Sequence, residues 1–438
     1  MKQRGTKLKP EHARKRGRIP RWLWFFFASL LLVVLAILAS NIPFVHDRLS
    51  WRLTVLQAEI KYALFPPEEA IFTPGASENN TQLAATPTPS PQPSLTPAPT
   101  EPPELFSTPS QTPTSLPETV MLGGVVHEYQ KYNNCGPANL SMALSFWGWK
   151  GDQRDTAAVM KPNPEDKNVM PYEMEDFVES HTSLRAIVRV GGDLELIKSM
   201  VAAGFPTLIE IGYEPPDKDW MGHYELITGY DDTLGRLIVQ DTYIMADFPI
   251  PYEEVITYWR HFNSIYIVLY PPESEARVME LLGPHADEIA NYQYAAQIAS
   301  DEIVTRSGKD LYFAWFNRGT NLMYLQDYAG AAEAYDQAFQ IYATLDPAIR
   351  PWRMLWYQTG PYFAYYFSGR YYDVINLADN VLTNMDKPIH EESFYWRALA
   401  KEALGDVEGA IADLRSSLQV HPDFEPSLQQ LERLGVSP

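Results

Sequence analysis

The chain contains one cysteine in 438 residues, Cys135, in the stretch "YNNCGPANLSMALSFWGW". A thiol attacks only as thiolate, and a helix N-terminus or a nearby imidazolium lowers its pKa from about 8.5. Gly136-Pro137 provides a tight helix start, and Leu140, Leu144 and Trp147 form one apolar helical face. That places Cys135 at the positive end of a helix dipole. A nucleophile also needs a base held by a third group. His223 lies in "MGHYELITGYDDTLGRLIVQDTY". If Asp231 to Gly235 turns an antiparallel hairpin, position 223 faces about 241 to 243, where Asp241 stands. Facing side chains have Cβ atoms about 4.5 to 5.5 Å apart, close enough for a carboxylate to fix an imidazole tautomer. A slip of one residue would break this pairing. On spacing alone the alternative stays open: Cys135 a small buried hydrophobe, His223 an ordinary strand residue and Asp241 a turn former.

The elements that would position these residues run from Val120 to Pro272. One helix follows Cys135, and then come the β-type runs "TLIEIG", "HYELITGY", "RLIVQD" and "SIYIVLY". Helices followed by antiparallel strands predict an α+β domain rather than a doubly wound sheet. With no second cysteine an internal disulfide is excluded. His127 lies near Gln130 and could line a cleft. His46, His181, His261, His285, His390 and His421 show no ligand spacing, so no metal site and no cofactor is expected.

Three separated blocks, "HEYQKYNNCGPANLSMAL", "GHYELITGYDD" and "VQDTY", resemble the papain-like cysteine peptidases of the bacteriocin-processing, double-glycine type, in particular their stand-alone peptidase-like branch. The resemblance covers roughly residues 120–272. It implies Cys135 as nucleophile, His223 as base and then acid, Asp241 as orienting group and Gln130 as oxyanion-hole side chain. Gln130 stands one residue closer to the cysteine than in the papain pattern. Trp220, Met221 and Gly222, just before and beside His223, are expected to contact substrate. The chain has no nucleotide-binding P-loop, unlike the transporter-fused members. Gly123-Gly124 offers a double glycine for self-cleavage, or simply a flexible lead into the first strand.

Beyond residue 272 the texture turns helical and self-similar. The segments beginning at Gly319, Tyr362 and Ala398 align Tyr328, Tyr371 and Val407, then Ala331, Val374 and Ala410, at spacings of 43 and 36 residues. This resembles divergent tetratricopeptide repeats over 273–438, whose consensus is about 34 residues; a plain helical bundle is the alternative.

The N-terminal part has a different character. Residues 1–21 carry nine Lys/Arg against one Glu, in a chain of net charge -20, so nucleic acid is an unexpected partner for the bulk of the molecule. The uncharged apolar run at 22–45 predicts a single transmembrane anchor with residues 1–21 cytoplasmic and the later domains extracellular, a cleaved signal peptide being the alternative. An amphipathic helix is expected over 46–72. Residues 73–119 form a Pro/Thr/Ser-rich linker able to reach up to roughly 100 Å. Together these features predict a membrane-tethered cysteine peptidase that acts on peptide or protein substrates, with repeats for a protein partner. The competing reading is a catalytically inactive peptide-binding adaptor.

Overall fold

The computed structural model describes Phe27 and residues 56–75, 116–215 and 219–438. The chain divides into two compact units, Met1–Phe65 and Pro66–Pro438. In the first, Phe27 is helical and a further helix spans 56–64. The apolar run at 22–45 lies, Phe27 apart, outside the described residues. Among the described residues no helix is long and apolar enough to cross a membrane. This corrects the single-pass localisation. A span needs about 20 mostly apolar residues, whereas the 18-residue helix Glu288–Thr305 carries Glu288, Asp301 and Glu302.

The second unit is built on an antiparallel sheet. Its strands are β1 (Thr119–Met121), β2 (Arg185–Arg189), β3 (Thr207–Tyr213), β4 (Met221–Asp231), β5 (Arg236–Gln240), β6 (Phe248–Pro251) and β7 (Tyr266–Tyr270). Their order is β2-β7-β3-β4-β5-β6, with β1 on the far end of β4. Helices α1 (Cys135–Phe146), α2 (Gln153–Met160) and α3 (Pro171–His181) cover one face, where Leu140, Leu144, Met174 and Phe177 meet Leu208, Leu226 and Ile267. The other face carries α4 (Leu194–Ala202), α5 (Tyr252–Trp259) and α6 (Glu275–Leu282), whose Ile197, Val201, Trp259 and Val278 meet Ile209, Ile227, Val239 and Val268. Covered on both sides, β3 and β4 are apolar almost throughout. An acidic residue inside them is therefore conspicuous.

The rest is helical: α7 (Glu288–Thr305), α8 (Gly308–Tyr324), α9 (Tyr328–Thr344), α10 (Gly360–Phe367), α11 (Tyr371–Asn384), α12 (Glu391–Ala403), α13 (Val407–Val420) and α14 (Glu425–Arg433). Tyr328, Tyr371 and Val407 open α9, α11 and α13, and Ala331, Val374 and Ala410 are buried one turn later. Gly369 and Gly405, at φ of 74° and 88°, make the turns before α11 and α13, a backbone region glycine enters without steric cost. Ahead of the sheet, residues 66–75 lie on this helical region. Phe72 is buried against Phe339 and Tyr365, Arg350 donates to the Glu68 carbonyl, and the Gly75 N–H donates to Asp373.

Candidate active site

Cys135 is the first residue of α1, as its sequence predicts. Asn133 adopts a left-handed φ of 54°, a conformation its short polar side chain tolerates better than most, and this turn delivers the chain into the helix. Residues 126–133 are stitched to the neighbouring helices. The Val126 N–H donates to Ser145, Lys131 N–H donates to Gln153 Oε1 at 2.7 Å, and Glu128 accepts from Ser141 and Gln153. One turn into α1, buried Asn139 donates to the Tyr224 carbonyl at 2.7 Å and to the Cys135 carbonyl at 3.1 Å. It thus ties the cysteine helix to the strand that bears His223. Asn139→Ala should therefore cost about 1 to 3 kcal/mol in urea unfolding; a variant as stable as the parent would deny this role.

His223 is 1% exposed and neither ring nitrogen has a hydrogen-bond partner. Its ring stacks on Tyr213 at 5.0 Å and lies 5.4 Å from Tyr243. Burial pulls the imidazole down to about 4, against the pull of Asp241. A β-bulge between Ile227 and Gly229 shifts the β4–β5 register so that Leu226 faces Gln240. Continued one residue, that register carries Asp241 beside Glu225, and continued three, Tyr243 beside His223. His223, Glu225 and Asp241 each offer one ligating atom within 4.8 Å of the others, and Nε2 of His223 is 3.6 Å from Glu225. Asp241 Oδ1 accepts the N–H groups of Tyr243 and Ile244 at 2.6 and 2.5 Å, fixing its carboxylate. Burial, and then Asp241, raise the Glu225 carboxyl well above its usual range.

Gln130 adjoins the same loop. Its N–H donates to the Thr242 carbonyl at 3.1 Å and its Oε1 accepts the Thr242 hydroxyl at 2.6 Å, which leaves the amide nitrogen as its donor. His127 Nε2 lies 2.8 Å from the Asp241 carbonyl oxygen.

The thiol side differs from expectation. Burial pushes Cys135 up to about 11, with Glu210 adding to the rise while Lys161 and the backbone at Tyr224 and Gly136 oppose it. Lys161 is itself buried, donates to the Asn133 carbonyl at 2.8 Å, and is drawn down to about 8 by burial. Since neither nitrogen of His223 is hydrogen-bonded, the thiol–imidazole bond is not made in this conformation. In it, sulfur and ring are both neutral at pH 7.

The helical region packs against the start of β4, next to His223. Trp220 is 3% exposed and stacks on Phe262 at 5.7 Å, beside Phe313 of α8. Its Nε1 donates to His261, and its carbonyl accepts from Arg353 at 2.9 Å. A Cβ on Gly222 would meet the Tyr357 ring at 2.9 Å. Trp220 and Gly222 thus lie in a seam with the helical region rather than lining an open cleft; Met221 pairs with Tyr213 at the start of β4. Lys167 and Asp386 form a buried ion pair across the seam at 2.7 Å.

Residues 123–267 match the Peptidase_C39 like family. This gives the sheet domain a papain-like, C39-type architecture, followed by a large helical part. No curated protein matches the chain. Among solved structures, a C39-like peptidase from Bacillus anthracis is similar at 18% identity and a TM-score of 0.30, covering 35% of this chain and 98% of its own. Xylellain, a cysteine protease from Xylella fastidiosa, is similar at 14% identity and a TM-score of 0.27, covering 37% and 90%.

Sequence reasoning passed over Glu210 and Glu225, both 1% exposed. Each interrupts an apolar strand run, and a carboxylate buried at such a place is costly unless neutralised or paired; that was the available signal. Two groups among the described residues have atoms close enough to hold a metal: His223, Glu225 and Asp241, and separately Glu173, Glu391 and His421.

Proposed function

We propose that residues 120–272 act as a cysteine peptidase hydrolysing peptide bonds, and that residues 273–438 are tetratricopeptide-like repeats that bind a protein. The observation that carries the reading is that Asp241 comes within 4.8 Å of His223, which stands on a strand tied through Asn139 to the helix that Cys135 opens. In this mechanism His223 takes the thiol proton as sulfur attacks the scissile carbonyl. Asp241 orients the ring and stabilises its charge. The Cys135 backbone N–H and the Gln130 amide receive the oxyanion, usually the largest single contribution in acyl transfer. The protonated ring then delivers its proton to the leaving amine, and water, deprotonated by the same ring, releases the acyl group. Because burial is the first cause of both shifts, uncovering the site moves the thiol down and the imidazole up, towards the reactive ion pair.

One observation favours a second reading, an inactive adaptor: in the covered arrangement the thiol and the imidazole are both neutral. A thiol-directed peptidase probe separates the two. Labelling of Cys135 that disappears in His223→Ala supports the peptidase. Slow labelling indifferent to that substitution supports the adaptor.

A further inference from the structure

The seam between the sheet domain and the helical region holds a surplus of carboxyls, three of them buried and Glu173 half-buried. Asp166 and Glu173 come from the sheet-domain side, Glu391 and Glu392 from the start of α12. Asp166, Glu391 and Glu392 are 5%, 3% and 8% exposed. The basic groups facing them are Lys161, His390 and His421, since Lys167 is already paired with Asp386.

Within this surplus three groups converge. One atom each of Glu173, Glu391 and His421 lies within 4.8 Å of the others. His421 Nδ1 is 2.9 Å from Glu391 Oε1, and Glu173 Oε2 accepts the Met170 N–H at 2.6 Å. Independently of the clustering, Glu391 Oε2 is buried with no hydrogen-bond partner. A polar oxygen left so costs on the order of 1 to 3 kcal/mol. Something that accepts lone pairs is wanted there, and protein donors do not supply it.

We infer that Glu173, Glu391 and His421 form a divalent-cation site that bridges the sheet domain to the helical region. Two carboxylates and one imidazole select an ion that takes mixed N and O ligands, as Zn2+ does, over Ca2+ or Mg2+, which favour oxygen. Closing the three atoms onto ions at about 2.0 to 2.2 Å requires only small side-chain movements, and the fourth position falls to water at the half-buried rim of His421. The ion neutralises the carboxyl surplus and uses the orphaned oxygen. It also pins α12 and the C-terminal end of α13 to α3 of the sheet domain.

The test uses the full chain, freed of metal by chelation and dialysis, titrated with Zn2+ by calorimetry and assayed for retained zinc. One Zn2+ per chain is expected, together with a zinc-dependent rise in the thermal midpoint. His421→Gln and Glu173→Gln should each weaken binding on the order of 100-fold and abolish that rise, while His223→Ala leaves both intact. His421 is partly exposed, so its variant should fold, and its circular dichroism checks that it does. Absence of stoichiometric zinc overturns the site, as does binding indifferent to His421→Gln and Glu173→Gln. Zinc lost only in His223→Ala assigns the ion to the other cluster and equally overturns it. The readout is metal binding, so the result stands whether or not the chain proves to be a peptidase.

Discussion

His223→Ala should lower kcat/KM for a cleaved peptide by about 10³-fold or more, because members of a nucleophile–base unit fail together rather than additively. Cys135→Ala should reach the same floor, and the double variant should fall no further. Gln130→Ala removes one oxyanion donor and should cost about 10² to 10³ in kcat with little change in KM. The Thr242 hydroxyl holds the Gln130 amide oxygen, so Thr242→Val should give a milder loss of the same kind. Hydrolysis that survives in Cys135→Ala would remove the thiol from the mechanism altogether.

Asp386→Ala is expected to have the largest effect on stability. Lys167 and Asp386 are 4% and 5% exposed at 2.7 Å, and deleting one member of a buried pair strands the other charge at a cost of about 3 to 5 kcal/mol. Lys167→Met combined with Asp386→Leu should recover most of that loss, since an apolar pair is often as stable as the ion pair it replaces. The same variants report on the cover over the site. With its thiol pushed up to about 11, Cys135 in the parent protein should alkylate about tenfold faster per pH unit from 7 to 10, with no plateau near neutrality. The sign follows from the shift: a thiol raised above its unfolded value stays protonated in the folded protein, so it adds stability below the unfolded pKa. That stability is lost as pH rises towards 11. Asp386→Ala, by loosening the seam, should speed alkylation at pH 8 and bring the rise to lower pH. An unchanged thermal midpoint in Asp386→Ala would deny the pair its structural weight.

The residues of the candidate site were legible because their signals are local. A cysteine followed by Gly-Pro before an apolar helix face, and a histidine and an aspartate on either side of a short turn, are read from spacing. The register was only partly legible: the bulge near Thr228 shifts the pairing by one, and nothing in "ELITGYDD" announces it. What escaped altogether depends on contacts distant in sequence. Trp220 read as a substrate wall because its neighbour is His223, yet its indole is buried by Phe262 and Phe313. His421 showed no ligand spacing because its partners stand 30 and about 250 positions away. The apolar run at 22–45 was plain in the sequence; Phe27 apart, it lies outside the described residues, among which no helix is long and apolar enough to cross a membrane.

The short segment 66–75 belongs to the same compact unit as the sheet domain and the helical region. Phe72 is sealed beneath Phe339 and Tyr365, and Gly75 is fastened to Asp373; from Thr119 onward the chain is laced to β4. Both banks of residues 76–115 therefore belong to one body.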